Sequence, residues 1–331
     1  MYHVYGSSFH GGIGKRNFST FVTARFARIY PLHLVTLLYL LALYALIKLT
    51  HTPISWWNVF FDPSAIPSQL LLVQAMGTHS EATWNSPTWS ISVEWWAYIV
   101  FPFLIVLLAN TKAWSRWALG IFIIGGYLAI MFYLQPAFWA QRWVTFGLPA
   151  DVPYPTGIID VVTGSAFLRC LCGFVYGMLI FELYTKGWAK RFLKSGYIFL
   201  GAWLALFVFW HIQVLPDPVA VFIFGVMIIS AAWNEDNIGK LINGRFITYI
   251  GDISYSLYLV HMPILLTFII YRKAMYQPDL KEIEGALGYS FTLTESWMGL
   301  IIFLVITFIL SGLSYKYLEK PARNYIKKRS S

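Results

Sequence analysis

Eight apolar runs dominate this chain, near 31–49, 89–109, 117–134, 164–183, 197–213, 218–233, 251–271 and 297–318, each close to the length a helix needs to cross a bilayer. In hydrocarbon a backbone must satisfy its own amides and carbonyls, and a helix does so within one segment. The expected fold is therefore all-α, a polytopic transmembrane helical bundle of about eight spans in a single membrane domain over 1–331. Only 12% of the residues are charged and 58% are hydrophobic, so a large soluble domain is excluded. A further apolar piece at 65–76 is too short to cross and reads as a half-helix or re-entrant segment.

The net charge of +9 would suit a nucleic-acid binder, but its distribution argues otherwise. With the N-terminus inside, 18 of the 24 lysines and arginines fall on the inner side; Lys48, Arg142, Arg272, Lys273 and Lys281 fall outside, and Arg169 lies within a span. That bias is the topology signal of a membrane protein with both termini cytoplasmic, and it calls for no nucleic acid. Residues 1–28 read as a polar cytoplasmic lead-in without the pattern of a signal peptide, and 324–331 as a basic cytoplasmic tail. Cys170 and Cys172, two apart, point to different helix faces, which suits packing rather than a local disulfide or a metal pair. No metal site is expected.

Four segments carry chemistry. In Trp89-Ser90-Ile91-Ser92-Val93-Glu94, a carboxylate heads a strongly apolar stretch, and the next carboxylate is Asp151. An ionised group at membrane depth costs roughly 2.5–3.5 kcal/mol, so it usually faces a protein interior or a cavity and serves a purpose. Arg25 and Arg28 lie three apart on one helical face ahead of Pro31, which can begin the next span. They suit either bidentate phosphate contacts or anchoring against anionic lipid. In Ser254 to Pro263, His261 sits inside an apolar span and either bonds another helix or lines a wet cavity. His33 reads as interfacial. The last segment, with Glu319, Pro321 and Arg323, reads as a helix that leaves the membrane and stops at a proline.

Taken in order, these segments resemble the acyltransferase-3 family of integral membrane acyltransferases. The matching pieces are Arg25, Arg28, Ile29 and Pro31; Asn85 to Glu94 running on to Tyr98, Phe101 and Pro102; Ser254 to Pro263; and Glu319, Pro321 and Arg323. The resemblance implies ten spans with cytoplasmic ends, and acyl transfer, most often of acetyl, from acyl-CoA to a hydroxyl of a cell-surface or exported glycan. It implies that Arg25 and Arg28 meet the CoA phosphates and that Glu94 supports catalysis. Trp89, Ser90, Ser92 and His261 are further cavity candidates. No cofactor is bound permanently; acyl-CoA is the donor substrate, and the partners are that donor, the glycan acceptor and the bilayer of a bacterial inner or plasma membrane.

The family's first span carries an arginine and, some ten residues on, a histidine taken as general base. That span has no counterpart in this sequence, so the membrane domain is expected to be N-terminally incomplete by two spans. Two other classes stay open. Glu94, Arg169 and His261 within spans would suit a transporter or channel, and a chain without the histidine could be a non-catalytic family member. The segment from Leu134 to Thr163, rich in aromatics and proline, suits either sugar stacking or a membrane interface.

Overall fold

The computed structural model describes residues 9, 12–50, 60–79, 81–109, 114–137, 164–212, 216–275 and 293–330. Of the expected outer segment from Leu134 to Thr163, residues 138–163 lie outside them. Among the described residues the chain is helical without strands. The elements are α1 (Lys15–Thr50), α2 (Ile66–Leu71), α3 (Thr88–Ala109), α4 (Trp114–Ala129), α5 (Ala166–Lys186), α6 (Gly196–Ile212), α7 (Pro218–Trp233), α8 (Asn237–Ile242), α9 (Arg245–Met275), α10 (Leu293–Ser314) and α11 (Lys320–Ser330). All eight apolar runs are helices. Six are long and apolar enough to span a membrane, counting α4 as running on to Ala137 and α10 as joined to α11; α6 and α7 are shorter apolar helices.

Large apolar side chains stand outward all along these helices, among them Leu46, Trp117, Ile121, Phe132, Trp203, Phe207, Ile228 and Ile301. A water-soluble surface does not carry apolar area on that scale, whereas lipid covers it without cost. The protein is an integral membrane protein.

Two prolines do not act as the sequence suggests. α1 does not begin at Pro31: it starts at Lys15 and runs through the proline for 36 residues. At about 1.5 Å per residue it is longer than the roughly 30 Å of hydrocarbon, so hydropathy picks out only its apolar part. The Tyr255 hydroxyl on α9 donates to the Ile29 carbonyl, a helix–helix tie next to the proline. Nor does the last helix stop at Pro321. A wide π-turn at Tyr315–Glu319 joins α10 to α11, and the chain stays helical through Pro321. The wider turn changes the carbonyl pairing just where the ring would otherwise collide with the preceding turn.

The chain forms two compact units, with α1 passing from one to the other after Val22 and α3 after Thr88. In the first, Val93 of α3 packs with Ile123 and Tyr127 of α4 and with Cys172 and Val175 of α5. A second cluster joins Phe21, Tyr98, Phe101 and Met178, its rings meeting edge-on and stacked. Cys170 and Cys172 are free thiols, the latter buried. In the second unit Leu37, Leu40 and Leu43 of α1 pack on Leu266 and Ile270 of α9 and on Trp84, which is fully buried. Trp84 has a φ of 60°. It is held by its indole N–H to the Asp62 carbonyl at 2.8 Å and by its amide to the Phe60 carbonyl.

Asp236 fastens two helices of the first unit. Its Oδ1 accepts from the Ile238 and Gly239 amides at the start of α8, and its Oδ2 accepts from the Gly196 amide at the start of α6 (2.8 Å). Helix N-termini offer unpaired donors and favour negative charge. These bonds, that from Gly196 foremost, hold the Asp236 carboxyl below its usual range. Because the folded value is depressed, the stability it contributes is complete above the ordinary carboxylate range and is lost as the pH falls through the depressed value. Asp236→Ala should therefore lower the protection factors of the Gly196, Ile238 and Gly239 amides together at neutral pH, and acid should lower them in the unaltered chain once exchange is corrected for its slower intrinsic rate, both read by hydrogen–deuterium exchange.

Candidate active site

Non-helical backbone within an apolar bundle leaves carbonyls without partners, and each must be satisfied by something. The segment between α2 and α3 is such a place. α2 ends at Leu71; Leu72 adopts a φ of 56°, and Gly77 one of 83°. The 65–76 piece expected as a half-helix is thus a broken one, running 3₁₀, α and π-turn in succession over Pro63–Thr78. Side chains claim the open carbonyls. In the second unit, His33 Nε2 donates to the Gln69 carbonyl at 2.9 Å and the Tyr30 hydroxyl to that of Leu70 at 3.1 Å. In the first, the Leu72 carbonyl takes the Ser92 hydroxyl at 2.8 Å and the Trp96 indole N–H at 3.0 Å.

His33 is buried against the broken segment, only 1% exposed. The carbonyl it meets can only accept, so Nε2 carries the proton and Nδ1 presents its lone pair, buried and without a hydrogen-bond partner. The Gln69 side chain continues the network, donating to the Thr83 carbonyl at 3.1 Å and accepting from the Thr88 hydroxyl at 3.2 Å. Sequence reading missed this role because the partner lies 36 residues away on a broken helix; the run of Gln69 and Gln74 in an apolar piece was the available hint.

The first unit holds the carboxylate. Glu94 is half-buried on α3, and the Tyr98 hydroxyl, one turn on and 4% exposed, donates to its Oε1. Cys170 of α5 lies within electrostatic reach of Glu94. The neighbouring Arg169 places its guanidinium 5.3 Å from the centre of the Trp89 ring, a cation–π contact that eases a charge within a span. Ser90 is half-buried on the same helix as Trp89 and Glu94. Ser92 is fully buried and also accepts from the Ala75 amide at 3.4 Å, so its hydroxyl serves the broken segment.

In the second unit the remaining motifs meet. The Asn85 amide donates to the Leu259 carbonyl at 2.9 Å and the Tyr258 hydroxyl to the Pro87 carbonyl at 2.8 Å, so the approach to α3 is docked on α9. His261 is half-buried and turns back on its own helix, donating from Nδ1 to the Tyr258 carbonyl at 2.8 Å. One to two turns before it, fully buried Ser256 donates to Oε2 of Glu319 at 3.0 Å. Glu319 is 3% exposed, not the surface residue of a helix end, and it lies within electrostatic reach of Arg28 and Arg323, with Asp252 opposing. Arg28 is exposed and Arg25 half-buried on the same face of α1. Among the described residues no group of three histidines, cysteines or carboxylates is placed to hold a metal.

A profile described as an acyltransferase domain matches residues 4–316. Among curated proteins, acyltransferase MdmB of Streptomyces mycarofaciens is 24% identical over 325 residues, which cover 95% of this chain and 77% of that protein. No solved structure matches.

Removing the His33 ring would leave the Gln69 carbonyl buried without a donor, a loss of about 1–3 kcal/mol. His33→Leu should lower the unfolding midpoint in detergent accordingly, and His33→Gln, which keeps a donor, should recover part of it.

Proposed function

Because the chain belongs to the acyltransferase-3 family, an integral membrane acyltransferase, we propose that it moves an acyl group, acetyl first among them, from acyl-CoA to a hydroxyl of a cell-surface or exported glycan. The observation that carries the donor is the pair Arg25 and Arg28 on one face of a continuous helix, with Glu319 within electrostatic reach of Arg28. Guanidinium forks match phosphate oxygens, and the nucleotide part of acyl-CoA is rich in them. In this reading the termini and the arginine pair face the cytoplasm of a bacterial plasma membrane, where the donor is made.

The chemistry follows from the bond exchanged. The acceptor oxygen attacks the thioester carbonyl, a C–O bond forms, the C–S bond breaks, and CoA leaves as the thiol with the proton taken from the hydroxyl. Glu94 supports the step by holding the reacting groups in an otherwise apolar setting, its carboxylate oriented by Tyr98. Trp89, Ser90 and Ser92 are its companions on α3 in this reading, and His261 of the second unit remains a separate cavity candidate. A positioned base ordinarily contributes about 10²–10⁴-fold, which sets the size of effect to look for.

Purified chain supplied with labelled acetyl-CoA should release free CoA thiol. Arg25→Gln and Arg28→Gln should each raise the KM for acetyl-CoA by about tenfold or more, the loss of one charge-assisted contact, with kcat little changed. Glu94→Gln should lower kcat by about a hundredfold while leaving that KM in place. Thiol release that ignores all three substitutions would sink the assignment of these residues. The complete absence of release and of transfer by the unaltered chain would favour the non-catalytic reading.

A further inference from the structure

Within the first unit, α3, α5 and α7 line a groove of about 550 Å³ that does not include Glu94 among its lining residues. Its walls are Phe101, Phe174, Phe181 and Ala232, and Tyr184 stands at one end. The floor is open because α5 carries glycine there: a Cβ at Gly177 would meet nothing within 4 Å. Along α5 the lining runs from Gly173 to Tyr184. At about 1.5 Å per residue that is roughly 16 Å, half of the ~30 Å hydrocarbon core and so the depth of one leaflet.

The two ends of the groove differ. At the Tyr184 end the ring stacks on Trp233, 5.5 Å between centres, as aromatic side chains do at the polar boundary of a membrane. Just beyond it α5 closes on Gly187 and the chain enters Lys190, Arg191 and Lys194, all exposed. The next carboxylate in the sequence after Glu182 is Asp217; in space Asp236 also stands at this turn, its carboxylate taken up by the Gly196, Ile238 and Gly239 amides. Arg116 and Lys186 are ion-paired with Glu182, which leaves the positive charge of this turn to Lys190, Arg191 and Lys194. The turn that follows the Tyr184 end thus carries three basic residues against Asp236 and is net cationic, while the groove lining is apolar.

We infer that the groove binds one chain of an anionic phospholipid, drawn from the leaflet on the lysine- and arginine-rich side, with its phosphate against Lys190, Arg191 and Lys194. The length matches a single leaflet, the missing side chain at Gly177 makes room for one alkyl chain, and the turn beyond Tyr184 carries the charge opposite to the headgroup. Each basic residue near such a headgroup contributes about 1 kcal/mol, or roughly fivefold in affinity. The site does not depend on acyl transfer, so its test is read without activity.

The full chain is placed in nanodiscs of phosphatidylcholine with a minor share of phosphatidylglycerol, and retained lipid is counted by native mass spectrometry. One phosphatidylglycerol should stay bound per chain. Gly177→Phe should cut that retention by about tenfold, whereas Gly201→Phe on α6, where a Cβ likewise meets nothing within 4 Å, should leave it unchanged. The pair Lys190→Gln and Arg191→Gln should keep a bound lipid but reduce the preference for phosphatidylglycerol over phosphatidylcholine by an order of magnitude or more. Equal loss in both glycine variants, retention that ignores Gly177→Phe, or a preference untouched by removing the two charges would each overturn the assignment. Displacement of the bound lipid by a stoichiometric long-chain acyl-CoA would overturn it as well, assigning the groove to the donor's chain.

Discussion

A helix that stops inside an apolar bundle leaves its last carbonyls without water to turn to, and the break after α2 is built around that debt. Gln69, Leu70 and Leu72 each give their carbonyl to a donor side chain: His33, Tyr30, and Ser92 with Trp96. Within the second unit the donors sit on α1, and within the first they sit on α3, so each unit secures its own part of the broken segment. The break is also what lets the chain turn at Leu72 and Gly77 and re-enter as α3, carrying Trp89 and Glu94. An unbroken helix would have no open carbonyls and no need of His33 or Ser92.

The four motifs behave as contact pairs rather than as separate sites. Asn85 and Pro87, ahead of α3, are bonded to Leu259 and Tyr258 in the box on α9; Ser256 of that same box is bonded to Glu319 in the terminal motif; and Glu319 reaches Arg28 electrostatically. Within the second unit α9 is the common partner. Its small and hydroxyl-bearing residues do what polar groups between apolar helices generally do, satisfying one another where no water is available.

The helical architecture was legible because hydropathy over bilayer-length windows reports a simple physical requirement, and all eight runs proved helical. The helix ends were less legible. Pro31 and Pro321 were read by the rules of water-exposed helices, in which proline marks a boundary, whereas here the helices pass through them and extend beyond the apolar stretch. Glu94 and the arginine pair stood out because charge in an apolar sequence is conspicuous. Ser92 and Glu319 stood out only as motif positions and His33 as a boundary residue; what they bond was not legible, because the partners lie 20, 63 and 36 positions away, a separation no local pattern encodes. Gln69 is the instructive case, a buried amide in a short apolar piece whose purpose appears only when both of its ends are seen to be used.

Asp236 divides one carboxylate between two helix starts, Gly196 on one side and Ile238 with Gly239 on the other. The connection leading into α6 and the connection leading out of α7 are therefore not independent loops. A residue inserted into either would carry one helix start out of reach of the shared group, so their lengths are constrained as a pair. Natural variation in one should be accompanied by variation in the other, and this side of the first unit is a poor place to add a tag or graft an epitope.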